Sequence, residues 1–97
     1  AGYKKALDIN PNNISALIQR AKVKQSRGHF IEAEANLKRA HAIDAGNTTV
    51  NYNLGLLYEK YLQEFDLAIK HYEAYVESSK ADDVKIVKRW IKLLERK

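Results

Sequence analysis

The residues of this chain that could support catalysis or metal binding are three histidines and two pairs of acidic residues. His29, His41 and His71 are separated by 12 and 30 residues, which is not a spacing typical of metal ligands. Two of the three fall on predicted helices, away from the apolar positions. The sequence therefore predicts that the histidines lie at the surface.

The acidic pairs also lack the surroundings of a catalytic site. Glu32 and Glu34 fall within a helical pattern, and Asp82 and Asp83 stand where another helix is predicted to begin, so solvated faces and the helix dipole explain both pairs. The chain has no glycine-rich phosphate loop and no cysteine. We therefore expect no enzymatic activity, no bound metal and no cofactor.

The composition is that of a small globular protein. The chain has 97 residues, of which 45% are hydrophobic and 30% are charged, and this length corresponds to one domain. No apolar segment approaches the ~20 residues that a membrane-spanning helix needs. The lack of cysteine is compatible with either a reducing or an oxidising compartment.

The net charge of +5 is unevenly distributed. Residues 1–47 contain eight basic and four acidic residues, residues 48–79 contain two and five, and residues 80–97 contain seven and three. The basic residues of the last helix are Lys85, Lys88, Arg89, Lys92, Arg96 and Lys97. No exposed aromatic residues are expected among them, so they indicate a solvated helix face, with weak nucleic-acid binding as the alternative.

Apolar residues at helical spacing predict six helices, at about 2–9, 14–26, 30–43, 48–60, 65–79 and 82–97. Asn13 is the predicted N-cap of the second helix, and Gly28 ends that helix. Gly46 is predicted to adopt a left-handed conformation after the third. Residues 1–10 are expected to be the end of a helix whose start has been cut away.

The sixth helix is predicted to close the structure. Its apolar stripe consists of Val84, Val87, Ile91 and Leu94, and three further residues are expected to widen that stripe: Ile86, Trp90 and Leu93. Trp90 is predicted to lie in the core beneath this helix, or otherwise to anchor a partner.

The helices repeat with a period of 34 to 35 residues. Leu54, Gly55 and Tyr58 follow Arg20, Ala21 and Lys24 by 34 residues. Phe65, Ala68, Tyr72 and Tyr75 follow Phe30, Ala33, Leu37 and Ala40 by 35 residues. Such a period, with a helix–turn–helix in each unit, is typical of a solenoid.

The second unit resembles the tetratricopeptide repeat family through Leu54, Gly55, Tyr58, Phe65, Ala68 and Tyr72. The resemblance implies an all-α, right-handed solenoid of antiparallel helix pairs in a single domain, 1–97. Its parts would be a truncated helix (1–10), two repeats (14–47 and 48–80) and a C-terminal capping helix (82–97). Three features depart from the family pattern: Asn51 where Trp is frequent, a turn at 61–64 that is one residue longer than the Gly28 turn, and the bulky Tyr75.

The resemblance also implies a concave groove that binds a peptide or a partner helix. Its residues would be Ser15, Ile18, Gln19, Lys22, Gln25, Ser26, Thr49, Tyr52, Asn53, Leu56, Glu59 and Lys60, with Lys88 beside them. Tyr52 and Leu56 are expected on a face that the core of their own unit does not use. Alternatively, both contact the neighbouring repeat.

These features predict a non-catalytic protein–protein interaction or scaffold module, which we expect to be a fragment of a larger tetratricopeptide protein. Its partner would be another protein or a peptide. Tyr3 and Leu7 are expected to lack a covering helix, so copies of the chain could pair through that end. A structural or oligomerisation spacer without a groove ligand is the other alternative.

Overall fold

The computed structural model describes residues 2–97, and these residues form six α-helices and one π-helical turn, with no strand. The α-helices are α1 (Tyr3–Ile9), α2 (Ile14–Ser26), α3 (Phe30–Ile43), α4 (Thr48–Leu57), α5 (Phe65–Ser78) and α6 (Val84–Glu95); the π-turn is Tyr58–Leu62. The chain divides into two units, residues 1–45 and residues 46–97. The prediction of an all-helical chain is confirmed.

An asparagine cap begins α2 in the first unit and α4 in the second. The side chain of Asn13 accepts a hydrogen bond of 3.0 Å from the backbone N–H of Ala16. The side chain of Asn47 accepts one of the same length from Val50. Each bond satisfies a backbone donor that a helix start leaves unpaired. The N-cap predicted at Asn13 is therefore confirmed, and its counterpart stands 34 residues later.

A glycine in the left-handed conformation ends α2. Gly28 has a φ of 80°, and its N–H donates to the carbonyl of Gln25 over 3.0 Å. The N–H of His29 donates to the carbonyl of Lys24 over 2.8 Å. These two bonds form the Schellman arrangement, which pairs the last carbonyls of the helix.

The matching junction of the second unit contains one residue more. Gln63, 35 residues after Gly28, is left-handed with a φ of 53°, and the N–H of Glu64 reaches back to the carbonyl of Tyr58 over 2.9 Å. A π-turn accommodates one additional residue within a helix. The expectation that the turn at 61–64 is longer is therefore wrong, because the extra residue lies inside the helix.

The left-handed conformation predicted for Gly46 is also wrong. Among residues 2–97, positive φ values occur at Gly2, Gly28 and Gln63. The chain leaves α3 through Asp44, which is extended (φ −145°, ψ 88°) and whose N–H bonds to the carbonyl of Ala40. Because the helix ends in an extended residue, no left-handed residue is needed there.

In the first unit, α2 packs against both α1 and α3. The buried apolar residues of this unit are Leu7, Ala16, Leu17, Ile18, Ala21, Ala33, Leu37 and Ala40. Leu7 is only 9% exposed and Tyr3 is half-buried. The expectation that Leu7 lies uncovered is therefore wrong.

In the second unit, α5 packs against both α4 and α6, and a glycine faces a tyrosine ring. Gly55 lies so close to Tyr72 that a Cβ atom at Gly55 would overlap the ring. Tyr72 is fully buried, and its hydroxyl donates to Glu59 over 2.8 Å. Since both ends of the side chain are held, the ring has little freedom to move away from Gly55.

The sixth helix covers this core with a narrower stripe than the sequence indicates. Val87, Ile91 and Leu94 are buried, whereas Ile86 and Leu93 are 49% and 52% exposed. These two residues point about 100° away from the buried stripe, since each residue advances an α-helix by about 100°. The prediction that they widen the buried stripe is therefore wrong.

Glycine at position 55 and tyrosine at position 72 should be energetically coupled. Gly55→Ala should destabilise the protein by about 1–3 kcal/mol through overpacking, in spite of the better helix propensity of alanine. The first unit has the smaller Leu37 at the position equivalent to Tyr72, so in a Tyr72→Leu background Gly55→Ala should cost little or nothing. Urea denaturation of the four proteins measures this coupling. An equal cost of Gly55→Ala in both backgrounds would contradict the packing described.

The two left-handed positions provide a matched pair of substitutions. Gln63→Gly should stabilise the protein by about 0.5–1 kcal/mol, because glycine adopts positive φ without steric cost. Gly28→Gln should destabilise it by about 1 kcal/mol, and the open space around Gly28 means that this cost comes from the backbone alone. Urea denaturation midpoints should therefore move in opposite directions. A loss of stability in Gln63→Gly would count against the left-handed Gln63.

Candidate functional site

The predicted groove residues of α2 form a mainly polar row. Ser15, Gln19, Lys22 and Ser26 are exposed and Gln25 is half-buried. Ile18 differs from them, because it is buried with 9% of its surface exposed. The row therefore offers hydrogen-bonding groups and one cation, while its apolar member is not accessible.

The predicted groove residues of α4 and the π-turn are less exposed. Thr49 and Lys60 are exposed, whereas Tyr52, Asn53, Leu56 and Glu59 are half-buried. The Asn53 amide donates one hydrogen to the carbonyl of Thr49 over 2.8 Å. A primary amide has two donor hydrogens and an acceptor oxygen, so Asn53 keeps further capacity for a ligand.

Four aromatic side chains of the second unit pack together, and we call Tyr52, Tyr72, Tyr75 and Trp90 the aromatic cluster. The ring of Tyr52 lies 5.1 Å from that of Tyr75 and 6.3 Å from that of Trp90. The rings of Tyr72 and Trp90 are 5.7 Å apart. All three pairs are tilted, an arrangement that the ring quadrupoles favour.

The aromatic cluster overturns one expectation for Tyr52. The sequence placed Tyr52 on a face that the core of its own unit does not use, but its ring packs on side chains of α5 and α6. Trp90 was predicted to lie in the core, but its ring packs on Tyr52 and Tyr72 and it remains half-buried. Tyr52 and Trp90 thus present part of their surface to solvent, while the other rings of the aromatic cluster hold both side chains in place.

Two tyrosine hydroxyls tie the cluster to carboxylates. Tyr72 donates to Glu59 over 2.8 Å, and Tyr75 donates to Asp83 over 2.6 Å. Burial, followed by the bond to Glu59, raises the pKa of Tyr72 strongly. The bond to Asp83 is the main cause of the raised pKa of Tyr75. The side chain of Asp83 is therefore hydrogen-bonded to α5, and it makes no capping bond to α6.

Lys88 does not join the aromatic cluster. It lines a separate cleft of the second unit, together with Glu73 and Glu77 of α5. Residues 88 and 90 point about 200° apart on a helix, and Trp90 is the one that reaches Tyr52. Lys88 thus lies on a different face of α6 from Trp90, and its place beside Gln19 and Asn53 stays a prediction.

The prediction of surface histidines is wrong for His71. This residue is 7% exposed, its Nδ1 lies 2.9 Å from Oδ1 of Asn51, and its ring stacks on Tyr58 at a centroid distance of 5.7 Å. Asn51 is fully buried. The pair replaces apolar contact between α4 and α5 with a buried hydrogen bond.

A matching polar pair joins the helices of the first unit. Nε of Arg20 donates to Oδ1 of Asn36 over 2.7 Å, and Asn36 stands 35 residues before His71. Neither pair was predicted from the sequence. Both could have been found by aligning the two repeats. A polar residue occupies the equivalent positions 36 and 71 of helix pairs that are otherwise apolar, which indicates a polar contact between the helices.

Glu32 and Glu34, the first of the two acidic pairs, are engaged with basic neighbours. Glu32 lies 3.3 Å from Lys24 and 3.3 Å from Nδ1 of His29, and Glu34 lies 3.5 Å from Lys38. Within residues 2–97, no three histidine, aspartate or glutamate side chains converge in a way that could hold a metal ion. In the same range, no helix has the length and apolar character required to cross a bilayer.

Comparison with models of known protein families gives no match to this chain, and comparison with curated proteins finds no significantly similar sequence. The geometry of the described residues is therefore the basis for assigning a function. It offers half-exposed aromatic rings, a partly free amide and a polar helix face, which are groups that bind other molecules without covalent chemistry.

The raised pKa values of Tyr72 and Tyr75 predict a loss of stability at alkaline pH. Both groups stay protonated in the folded protein above the ordinary tyrosine value of 10.0, whereas the unfolded chain releases these protons. The folded state then binds more protons, so stability is fully retained below pH 10 and falls as the pH rises further. Tyr72 should contribute up to about 1.4 kcal/mol per pH unit, and Tyr75 a smaller amount in the same direction.

Urea denaturation across this pH range, for the parent protein and Tyr72→Phe, measures the contribution of Tyr72. The variant should be less stable at neutral pH, where it lacks the bond to Glu59, and should lose stability less steeply above pH 10. Exposed Leu93 provides a control, since Leu93→Ala removes no titrating group and should leave the slope unchanged. A parallel decline of parent and Tyr72→Phe would contradict the described environment of Tyr72.

Proposed function

We propose that this chain is a tetratricopeptide-like protein–protein interaction or scaffold module without catalytic activity. In this proposal residues 14–47 and 48–80 are consecutive repeats of a right-handed solenoid, α6 is its C-terminal capping helix, and the chain is part of a larger protein. The bound partner is a peptide or a helix of another protein.

The repeat assignment is supported by features that recur between the units. Each unit has an asparagine cap, at Asn13 and Asn47, and a left-handed residue at the end of the first helix of the pair, at Gly28 and Gln63. Each also has buried small residues at matching positions: Ala21 and Ala33 in one unit, Gly55 and Ala68 in the other. Small residues allow two helices to approach closely, which a helix-pair repeat requires.

The observation that carries the binding proposal is the partly exposed aromatic surface of the second unit. Tyr52 and Trp90 are half-buried and mutually in contact, so a partner could bury more of their area without ordering mobile side chains. Asn53 and Leu56 lie on the same helix as Tyr52. An aromatic anchor beside an amide suits a peptide, whose backbone groups need hydrogen-bond partners when buried.

The alternative function is a structural spacer that binds no ligand in its groove, and the binding test must distinguish it from the proposed interaction module. In that case Tyr52 and Asn53 serve only the fold, and replacing them would change stability but no interaction. Nucleic-acid binding through α6 would instead appear as an affinity that falls steeply with salt, because phosphate contacts release counterions.

The test is affinity capture with the parent protein, followed by direct affinity measurements on each captured partner. Asn53→Arg should weaken binding at least about ten-fold, equivalent to about 1.4 kcal/mol, because it places a bulky charge beside the aromatic surface. Tyr52→Ala combined with Asn53→Ala should abolish it. Circular dichroism and urea denaturation establish that the variants remain folded.

The matched control is Lys70→Ala combined with Glu73→Ala, which alters two exposed residues of α5 and should leave affinity unchanged. If folded Asn53→Arg binds every partner as tightly as the parent protein does, the proposed surface is wrong. Loss of binding in the control to the same extent would also exclude it.

A further inference from the structure

The first unit contains a cleft in which half of the lining residues are basic. It lies among α1, α2 and α3, has a volume of about 480 Å³, and is lined by the cations Lys4, Arg20, Lys24 and Arg39. Its one carboxylate belongs to Glu32. Four positive charges against one negative charge make it a site of positive potential, which attracts anions.

The carboxylate in the cleft is already shared by two basic groups. Glu32 lies 3.3 Å from Lys24 and 3.3 Å from His29, so Lys24 is compensated. Arg39 makes a long, 3.4 Å bond to the neutral side chain of Asn12, which leaves its charge uncompensated. Arg20 likewise bonds to a neutral amide.

The guanidinium of Arg20 is held in position through one edge. Its Nε donates to Oδ1 of Asn36 over 2.7 Å, and Nδ2 of Asn36 donates to the carbonyl of Glu32 over 2.8 Å. Asn36 itself is only 8% exposed. Because Nε is engaged, the two Nη groups remain to donate, and this planar pair matches two oxygens of one phosphate or carboxylate group.

Arg20 occupies a position of the repeat that is apolar in the second unit. Its counterpart 34 residues later is Leu54, which is fully buried. A half-buried arginine whose partner is an amide is less favourable for folding than one whose partner is a carboxylate, because the charge is partly desolvated without neutralisation. A bound anion would supply the missing negative charge.

We propose that this cleft binds an oxyanion, and specifically the dianionic group of a phosphate monoester. Arg20 receives two of its oxygens, Arg39 and Lys4 complete the neutralisation, and Tyr3, which also lines the cleft, faces the group that carries the phosphate. Two charges suit the site better than one, since three of its cations have no anionic partner within residues 2–97. The site belongs to the first unit and does not depend on the partner surface proposed above.

The test is a titration of the protein with inorganic phosphate at constant ionic strength, followed by two-dimensional NMR of the backbone amides and the arginine Nε–H groups. Saturable shifts should be confined to residues around the cleft, with the Arg20 and Asn36 signals among the largest. Arg20→Leu, which installs the residue of the second unit, should weaken binding at least about ten-fold. Because it leaves Oδ1 of nearly buried Asn36 without its donor, it should lose some stability, and circular dichroism establishes that it remains folded.

The charge-matched control is Arg27→Leu, at the end of the same helix and outside the cleft. It should bind phosphate as the parent protein does. Arg20→Lys should restore only part of the affinity, because it returns the charge without the planar pair of donors. Unsaturable shifts, or an equal loss of affinity in Arg27→Leu and Arg20→Leu, would overturn the proposal, since both indicate general charge attraction.

Titration with a phosphoserine peptide and with the same peptide carrying glutamate identifies the source of the phosphate. Tighter binding of the phosphoserine peptide than of inorganic phosphate, lost in Arg20→Leu, assigns the site to a phosphorylated protein segment. Equal affinities for these two ligands assign it to free phosphate. A glutamate peptide that binds as tightly as the phosphoserine peptide would contradict the choice of a phosphate monoester.

Discussion

The contact between Gly55 and the ring of Tyr72 is the constraint on which the second unit depends. A large ring lies against bare backbone, so α4 and α5 approach at a distance that no other residue at position 55 would allow without rearrangement. Tyr72 then reaches Glu59 with its hydroxyl and Trp90 with its ring. One side chain thereby connects α4, the π-turn, α5 and α6.

The first unit solves the same packing problem with different residues. Ala21 and Leu37 occupy the positions of Gly55 and Tyr72. Ala21 is larger than Gly55 and Leu37 is smaller than Tyr72, so the two changes compensate for each other. The polar pairs vary in a similar way. Position 36 bonds to Arg20 in the first unit, whereas its counterpart, His71, bonds to Asn51, one helical turn before the residue equivalent to Arg20. Equivalent positions of the two units thus carry different side chains, which gives the units chemically different surfaces.

Most helices could be predicted from the sequence, because the spacing of the apolar residues agrees with strong signals for the start and end of each helix. Asn13 begins α2, Gly28 ends it, and the predicted and observed bounds of α2 and α3 coincide. The π-turn could not be predicted from propensity, because nothing in Tyr58–Leu62 differs from an ordinary helix. Only the change of the repeat from 34 to 35 residues indicated an additional residue, and that signal does not specify whether a helix or a turn contains it.

The candidate surfaces were harder to predict because they depend on which neighbour a side chain meets. Tyr52 points away from Leu54 along the helix, as expected, yet α6 and Tyr75 meet it there. His71 looked like a surface residue because polarity was taken as exposure, and its partner Asn51 lies 20 residues away. Arg20 lies in an apolar column of the repeat, and only the structure shows that Asn36 orients it toward a cleft.

The most direct measurement of the central contact is the nuclear Overhauser effect between the Hα protons of Gly55 and the ring protons of Tyr72. We expect strong cross-peaks, together with ring-current shifts of the Gly55 protons away from their usual range. Ordinary glycine shifts with no cross-peak to Tyr72, in a protein that is folded, would contradict the packing from which the rest of the second unit is derived.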